Sequence, residues 1–159
     1  RIRGEICGYG ESSDAEHITR PSPQGQARAI RFALEDAGVS PEQIGFINAH
    51  GTATEANDEC ESQSIRDVFG SAAEEILVAS NKSFFGHTMG AAGALESIVT
   101  LLGLEARTVP PNLNLDSPDP KCNLRFVPGT ATAISSPYAL KNSFGFGGNN
   151  AVLVLRRHE

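Results

Sequence analysis

Along residues 2–9, "IRGEICGY", apolar and polar positions alternate with the period of a half-buried strand. The Pro, Ser and Gly run "TRPSPQG" (19–25) then predicts a loop, and "QARAIRFALEDAG" a helix ending at Gly38. Its apolar stripe runs through Ala29, Ile30, Ala33, Leu34 and Ala37. "VSPEQIGFINAHG" supplies a turn with Ser40 as N-cap, a one-turn helix, and a buried strand, "IGFINA", whose end delivers His50. A helix is expected from Asn57 to Phe69, then a strand "EILVAS" (75–80), then the small-residue stretch "NKSFFGHTMGAAGALE" (81–96) opening a helix that continues to Ala106. "VPPNLNLDSPDP" breaks all regularity, and short strands near "LRFVP", "YALKNSFG" and "NAVLVLRR" follow. Strands and helices alternate and end in consecutive strands, so the pattern predicts one α/β domain over 1–159 with a mixed sheet and helices packed on it.

With 159 residues and 40% hydrophobic content, the chain has the size to bury a core of its own. Its net charge of -6, with Lys and Arg scattered, argues against nucleic acid as a partner. The apolar run "SIVTLLGL" (97–104) falls short of the roughly 20 residues a membrane-spanning helix needs, so no membrane insertion is expected. Cys7, Cys60 and Cys122 are odd in number and widely spaced, which suits reduced thiols in a cytoplasmic protein. The opening directly on a strand, with no leader and no initiator Met, suggests a piece of a longer protein.

Two histidines stand past the ends of expected strands, where active-site groups of α/β folds gather: His50 in "NAHGTATEANDECE" and His87 in "NKSFFGHTMGAAG". Each also admits a plainer role as a locally hydrogen-bonded loop residue. Placed in the first turn of a helix, His87 would face the positive end of the macrodipole and stay neutral, able to donate one N–H to a developing oxyanion. Lys82, on the loop side of that turn, would orient His87 or bind a carboxylate. Glu96 follows His87 by nine residues, on the far side of the helix, so a salt bridge back to Lys82 suits it better than contact with His87. In "NSFGFGGNN" (142–150), Gly145, Gly147 and Gly148 surround Phe146 with a backbone free to swing or to aim amides at a ligand, although a strand-joining turn would explain it as well. His50, Asp58 and His87 lack the close spacing of metal ligands, and no metal is expected.

Taken together and in order, "NAHGTATEANDECE", "NKSFFGHTMGAAGALE" and "NSFGFGGNN" resemble the C-terminal half of the β-ketoacyl-acyl-carrier-protein synthases, condensing enzymes of the thiolase-like fold. The resemblance covers the whole chain, including "GYGESSDAEHITRP". It implies that His50 and His87 are the two active-site histidines that bind the thioester carbonyl of malonyl-carrier protein and stabilise the enolate, with Lys82 as the active-site lysine beside the second histidine and Glu96 its partner. Thr19, Thr52 and Thr54 correspond to positions that hydrogen-bond the pantetheine arm. Gly145, Gly147 and Gly148 correspond to a gating loop, with the Phe146 amide as an oxyanion donor and its ring as a gate.

The same resemblance implies acyl carrier protein as partner, substrates on its phosphopantetheine with no other cofactor, and a homodimeric parent enzyme of fatty acid biosynthesis. The family's nucleophile is a cysteine of the N-terminal half; none of Cys7, Cys60 or Cys122 has its setting, so this chain alone is expected to be inactive. Asn149 stands where the family usually has threonine. The alternatives are a polyketide or specialised-lipid ketosynthase, which the absence of a linker after "NAVLVLRRHE" disfavours, and a chain-length-factor-type subunit without the nucleophile.

Overall fold

The structure, a computed structural model, describes residues 1–158. Its strands are β1 (Gly4–Ser13), β2 (Ile44–Asn48), β3 (Leu77–Ala79), β4 (Thr108–Val109), β5 (Arg125–Phe126), β6 (Thr132–Ala133), β7 (Tyr138–Gly145) and β8 (Asn149–Arg157). Its helices are α1 (Pro23–Ala37), α2 (Glu55–Phe69), α3 (Lys82–Phe85) and α4 (Ala92–Ala106). Six strands form one sheet in the order β1-β8-β7-β2-β3-β5, and β4 pairs with β6 apart from it. The β1, β8 and β7 neighbours are antiparallel, whereas β7, β2, β3 and β5 run parallel, so the sheet is mixed as the pattern predicted.

Side-chain alternation along the strands divides the core in two. Ile47, Val78, Leu140, Val152 and Val154 face α1 and α2, where Ile30, Leu34, Ile65 and Phe69 meet them. Phe46, Leu77, Ala139 and Leu155 point to the opposite face and pack with Leu104 of α4. Each fully buried aliphatic or aromatic side chain of this kind contributes about 1.5–3 kcal/mol.

The alanine stripe of α1 lets that helix lie directly on β1. A Cβ at Gly10 would stand 2.1 Å from the carbonyl oxygen of Ala29, so the strand can carry no side chain at that point. Gly38 ends α1 in the left-handed region at φ 63°, its N–H reaching back to the last turn.

Several boundaries differ from the expected ones. β1 extends to Ser13 because β8 pairs with it through Asn149, and α1 begins three residues early on Pro23, which needs no N–H partner in a first turn. α2 starts at Glu55, and Lys82 opens the one-turn helix α3 rather than lying in a loop.

α4 reverses the usual polarity of a surface helix. Ala92, Glu96, Thr100, Gly103 and Leu104 form its buried stripe, while Leu95, Ile98 and Leu102 are 41%, 55% and 44% exposed. Together with the turn before it, Met89–Ala106 is 18 residues of mean hydropathy 1.3, long and apolar enough to pass as a membrane span by those two measures, contrary to the reading of the run 97–104 alone. The helix is tied to the sheet instead, by an ion pair from Glu96 to β7.

Candidate active site

The parallel strands β2 and β3 end side by side, and the chain leaving each one supplies one half of the site. Two residues past β2, His50 is 8% exposed, held by its backbone. Its N–H donates to Glu61 Oε1 at 2.8 Å, and the next N–H, of Gly51, donates to Glu61 Oε2 at 2.9 Å. Asn142 Nδ2 of β7 adds a third bond to Glu61 Oε1 at 3.0 Å. Burial pushes the Glu61 carboxyl upward from its ordinary range, and these donors pull against that push.

From α3, Lys82 Nζ reaches the carbonyl oxygen of His50 at 2.5 Å and Glu96 Oε1 at 2.6 Å, with side-chain exposures of 6% and 0% for the lysine and the glutamate. The expected pairing of Glu96 with Lys82 is present. The expected orientation of His87 by Lys82 is not: the ammonium lies against His50, 3.4 Å from its Nδ1. A second ammonium, Lys141 Nζ, sits 2.6 Å from the other oxygen of Glu96.

His87 lies in the turn between α3 and the 3-10 segment Met89–Ala91, and α4 begins only at Ala92. It is therefore not in the first turn of α4, and the helix-end argument for its neutrality does not apply to it. The backbone instead aims it: the Met89 N–H donates to His87 Nδ1 at 3.2 Å, which leaves Nε2 to carry the proton. His50 has the same arrangement, because an ammonium beside Nδ1 has only protons to offer. The two imidazoles meet edge to face with centroids 5.4 Å apart, and Phe144 backs His50 at 6.0 Å. Burial first, then the charges of Lys82, Lys141 and His87, lower the pKa of His50 to about 3, so this imidazole is neutral at ordinary pH.

Both rings open on a cleft of about 540 Å3 that Thr19, Thr52, Thr54, Gly145, Phe146 and Gly148 also line. Thr52 and Thr54 share a hydroxyl contact of 2.9 Å, and Ala53 between them holds a left-handed φ of 58°. Such backbone in a residue with a Cβ persists only where its surroundings impose it. Lys82 does not line this cleft but borders a second cavity of about 550 Å3 that His87 and Thr52 share, and Glu96 lines neither.

The glycine turn joins β7 to β8 and is more tightly fixed than its composition suggests. Gly147 N–H donates to the carbonyl of Ile18 at 2.7 Å, so it is neither a lining residue nor a free amide. Gly148 packs against Asp14, where an added Cβ would come within 2.5 Å, and its carbonyl accepts the Asp14 N–H. Asn149 Nδ2 donates to the Phe146 carbonyl at 3.2 Å, leaving the Phe146 ring 77% exposed over the cleft.

Sequence reasoning missed Glu61, Lys141 and Asp14. The first two carry a usable signal: Glu61 precedes Ile65 by one helical turn on the buried side of α2, and Lys141 interrupts the apolar run of β7 on the same face as Ala139. All three cysteines are free and lie in a strand, a helix and a loop as expected; burial raises the Cys60 thiol to about 12.

Residues 3–116 match the model of the β-ketoacyl synthase C-terminal domain. The chain is 45% identical over its whole length to a 3-oxoacyl-[acyl-carrier-protein] synthase 2 of Synechocystis sp., and spans 39% of that protein. Among solved structures it superposes on the ishigamide ketosynthase/chain length factor with a TM-score of 0.96 at 46% identity, covering all of this chain and 39% of that one. It likewise matches a structure of a type II PKS acyl-carrier protein in complex with its ketosynthase, with a TM-score of 0.96 at 38% identity, covering all of this chain and 40% of that one. The fold is thus the thiolase-like fold of the ketosynthases, over its C-terminal part.

Proposed function

Because this chain belongs to the β-ketoacyl synthase family, we propose that it is the part of a 3-oxoacyl-[acyl-carrier-protein] synthase that decarboxylates malonyl-carrier protein and stabilises the resulting enolate. The observation that carries this is the pair of imidazoles 5.4 Å apart on one cleft, each with Nδ1 occupied and Nε2–H left to donate. As the bond between the malonyl methylene and its carboxylate breaks, carbon dioxide leaves and the electron pair moves onto the thioester oxygen. Two N–H donors converging there favour the enolate over the ground-state carbonyl. The enolate carbon then attacks an acyl thioester: the new C–C bond forms, and the C–S bond breaks to release a cysteine thiolate belonging to the rest of the protein.

Thr19, Thr52 and Thr54 would bind the pantetheine arm that brings the malonyl group down the cleft, and the exposed Phe146 ring, with its N–H as an oxyanion donor, would gate the acyl side. In this proposal acyl carrier protein is the partner, its phosphopantetheine carries the substrates without another cofactor, and the full-length enzyme is a cytoplasmic homodimer. A polyketide product is the second reading, favoured by the superposition on the ketosynthase of a type II PKS with a TM-score of 0.96.

The test uses the full-length protein. Decarboxylation of malonyl-carrier protein should fall at least about a hundredfold in His50→Ala and in His87→Ala. A rate within about twofold of the parent would contradict the oxyanion role. Mass analysis of the product chain separates a singly condensed fatty-acid precursor from a polyketide.

A further inference from the structure

Lys141 is a lysine in the middle of a central strand, 2% exposed, for which the proposed decarboxylation and condensation have no use. Its Nζ donates to the carbonyl of Asn142 at 2.7 Å and to the hydroxyl of Ser143, and lies 2.6 Å from Glu96 Oε2 in an ion pair. Glu96 is thereby shared: Oε1 faces Lys82 and Oε2 faces Lys141. A buried ammonium without a counter-ion is costly, and two of them depend here on one carboxylate. The carboxylate cannot turn towards either lysine without deserting the other. Its orientation is fixed by that competition, and the orientation of Lys82, which caps the His50 carbonyl, follows from it.

Building on the synthase reading, we propose that Lys141 is a positioning residue of the decarboxylation step: it braces Glu96 from β7, so that Glu96 holds Lys82 on His50. The groups that face His50 come from five directions. They are Lys82 of α3, Glu96 of α4, Lys141 of β7, Glu61 of α2, and His87 from the turn before α4. Lys82 and Lys141 each disfavour a positive charge on the imidazole, and the carboxylates of Glu96 and Glu61 offset only part of that repulsion. Burial does most to keep His50 unprotonated, and the repulsion from the two lysines adds to it. Glu61 binds the backbone of His50 from the other side and forms no ion pair with either lysine, both of which pair with Glu96.

The test is Lys141→Met in the full-length protein, assayed for malonyl-carrier decarboxylation from about pH 4 to about pH 9. The expected result is a loss of about ten- to a hundredfold in kcat, with KM within about twofold and the acid limb moved to higher pH. A kcat within about twofold of the parent, or a lower kcat with the acid limb unmoved, overturns the proposal and leaves Lys141 a packing residue. Lys141→Gln removes the charge but keeps a donor for the Asn142 carbonyl and the Ser143 hydroxyl, and decides the question if Lys141→Met does not fold. A lower kcat with the limb displaced the same way supports the proposal, and parental behaviour overturns it.

Titration of the His50 ring by NMR in parent and variant is independent of turnover. A midpoint raised in the variant supports the bracing role and an unchanged one refutes it, even if a parent without decarboxylase activity sinks the synthase reading itself.

Discussion

Glu61 grips the backbone of His50 rather than its ring: the His50 N–H donates to Oε1 at 2.8 Å and the neighbouring Gly51 N–H to Oε2 at 2.9 Å. One carboxylate from α2 thus fixes the direction in which the chain leaves β2. The imidazole remains free for the cleft.

Only a carboxylate has two acceptor oxygens for these donors. Glu61→Gln turns an amide N–H against one of the backbone N–H groups and leaves it buried without a partner. The expected cost is about 1–3 kcal/mol, read from the urea midpoint of the full-length protein. An unmoved midpoint would show that the clamp contributes nothing to stability.

The neutral His50 has a consequence for acid stability. Its folded pKa is about 3 against an ordinary 6.5, so between those values the unfolded chain takes up a proton that the folded chain refuses. Stability is therefore lost as pH falls from 6.5 towards 3, with a slope from this residue of about 1.4 kcal/mol per pH unit. His50→Gln should flatten the acid side of the stability curve by about that slope, as measured by urea unfolding at a series of pH values. A curve of unchanged steepness would mean that His50 titrates alike in both states.

Close packing and backbone strain separate at two glycines. Gly10→Ala drives a methyl group into the backbone of α1 and should cost about 3 kcal/mol or more. Gly38→Ala meets nothing within 4 Å and pays only for its left-handed φ, about 1–2 kcal/mol. Thermal melting of the two variants should rank them in that order, and equal losses would contradict the contact between α1 and β1.

Phe146 is 77% exposed at the edge of the cleft, on a turn that Gly147, Gly148 and Asn149 pin independently of its ring. Phe146→Ala should leave stability within about 0.5 kcal/mol of the parent. On the synthase activity proposed for the full-length protein, condensation should nevertheless fall roughly tenfold, about 1.4 kcal/mol in the barrier. Full activity with unchanged product lengths would remove the ring from the gating role.

Local pattern was enough for much of the molecule. The stripe of Ala29, Ile30, Ala33, Leu34 and Ala37 determined α1, the glycine after it determined its end, and the apolar run 44–49 determined a buried strand that delivers His50. These features depend on residues a few positions apart, within reach of one helical turn or one pleat. The nine-residue spacing from His87 to Glu96 likewise sufficed to separate those two, whereas the pairing of Glu96 with Lys82 was an expectation that rested also on the family resemblance.

What the tertiary structure alone decided concerns contacts across long separations. Lys82 meets His50 rather than His87 because β2 and β3 are parallel neighbours whose exits lie together, 32 residues apart in sequence. Glu61 and Asn142, 81 residues apart, meet because β7 is the other neighbour of β2. Lys141 reaches Glu96 only because α4 turns Glu96 and Thr100 inward and Leu95, Ile98 and Leu102 outward, against the usual preference of a surface helix. Periodicity states which residues of one element share a face; strand order and the choice of face follow from how all the elements bury their surfaces together.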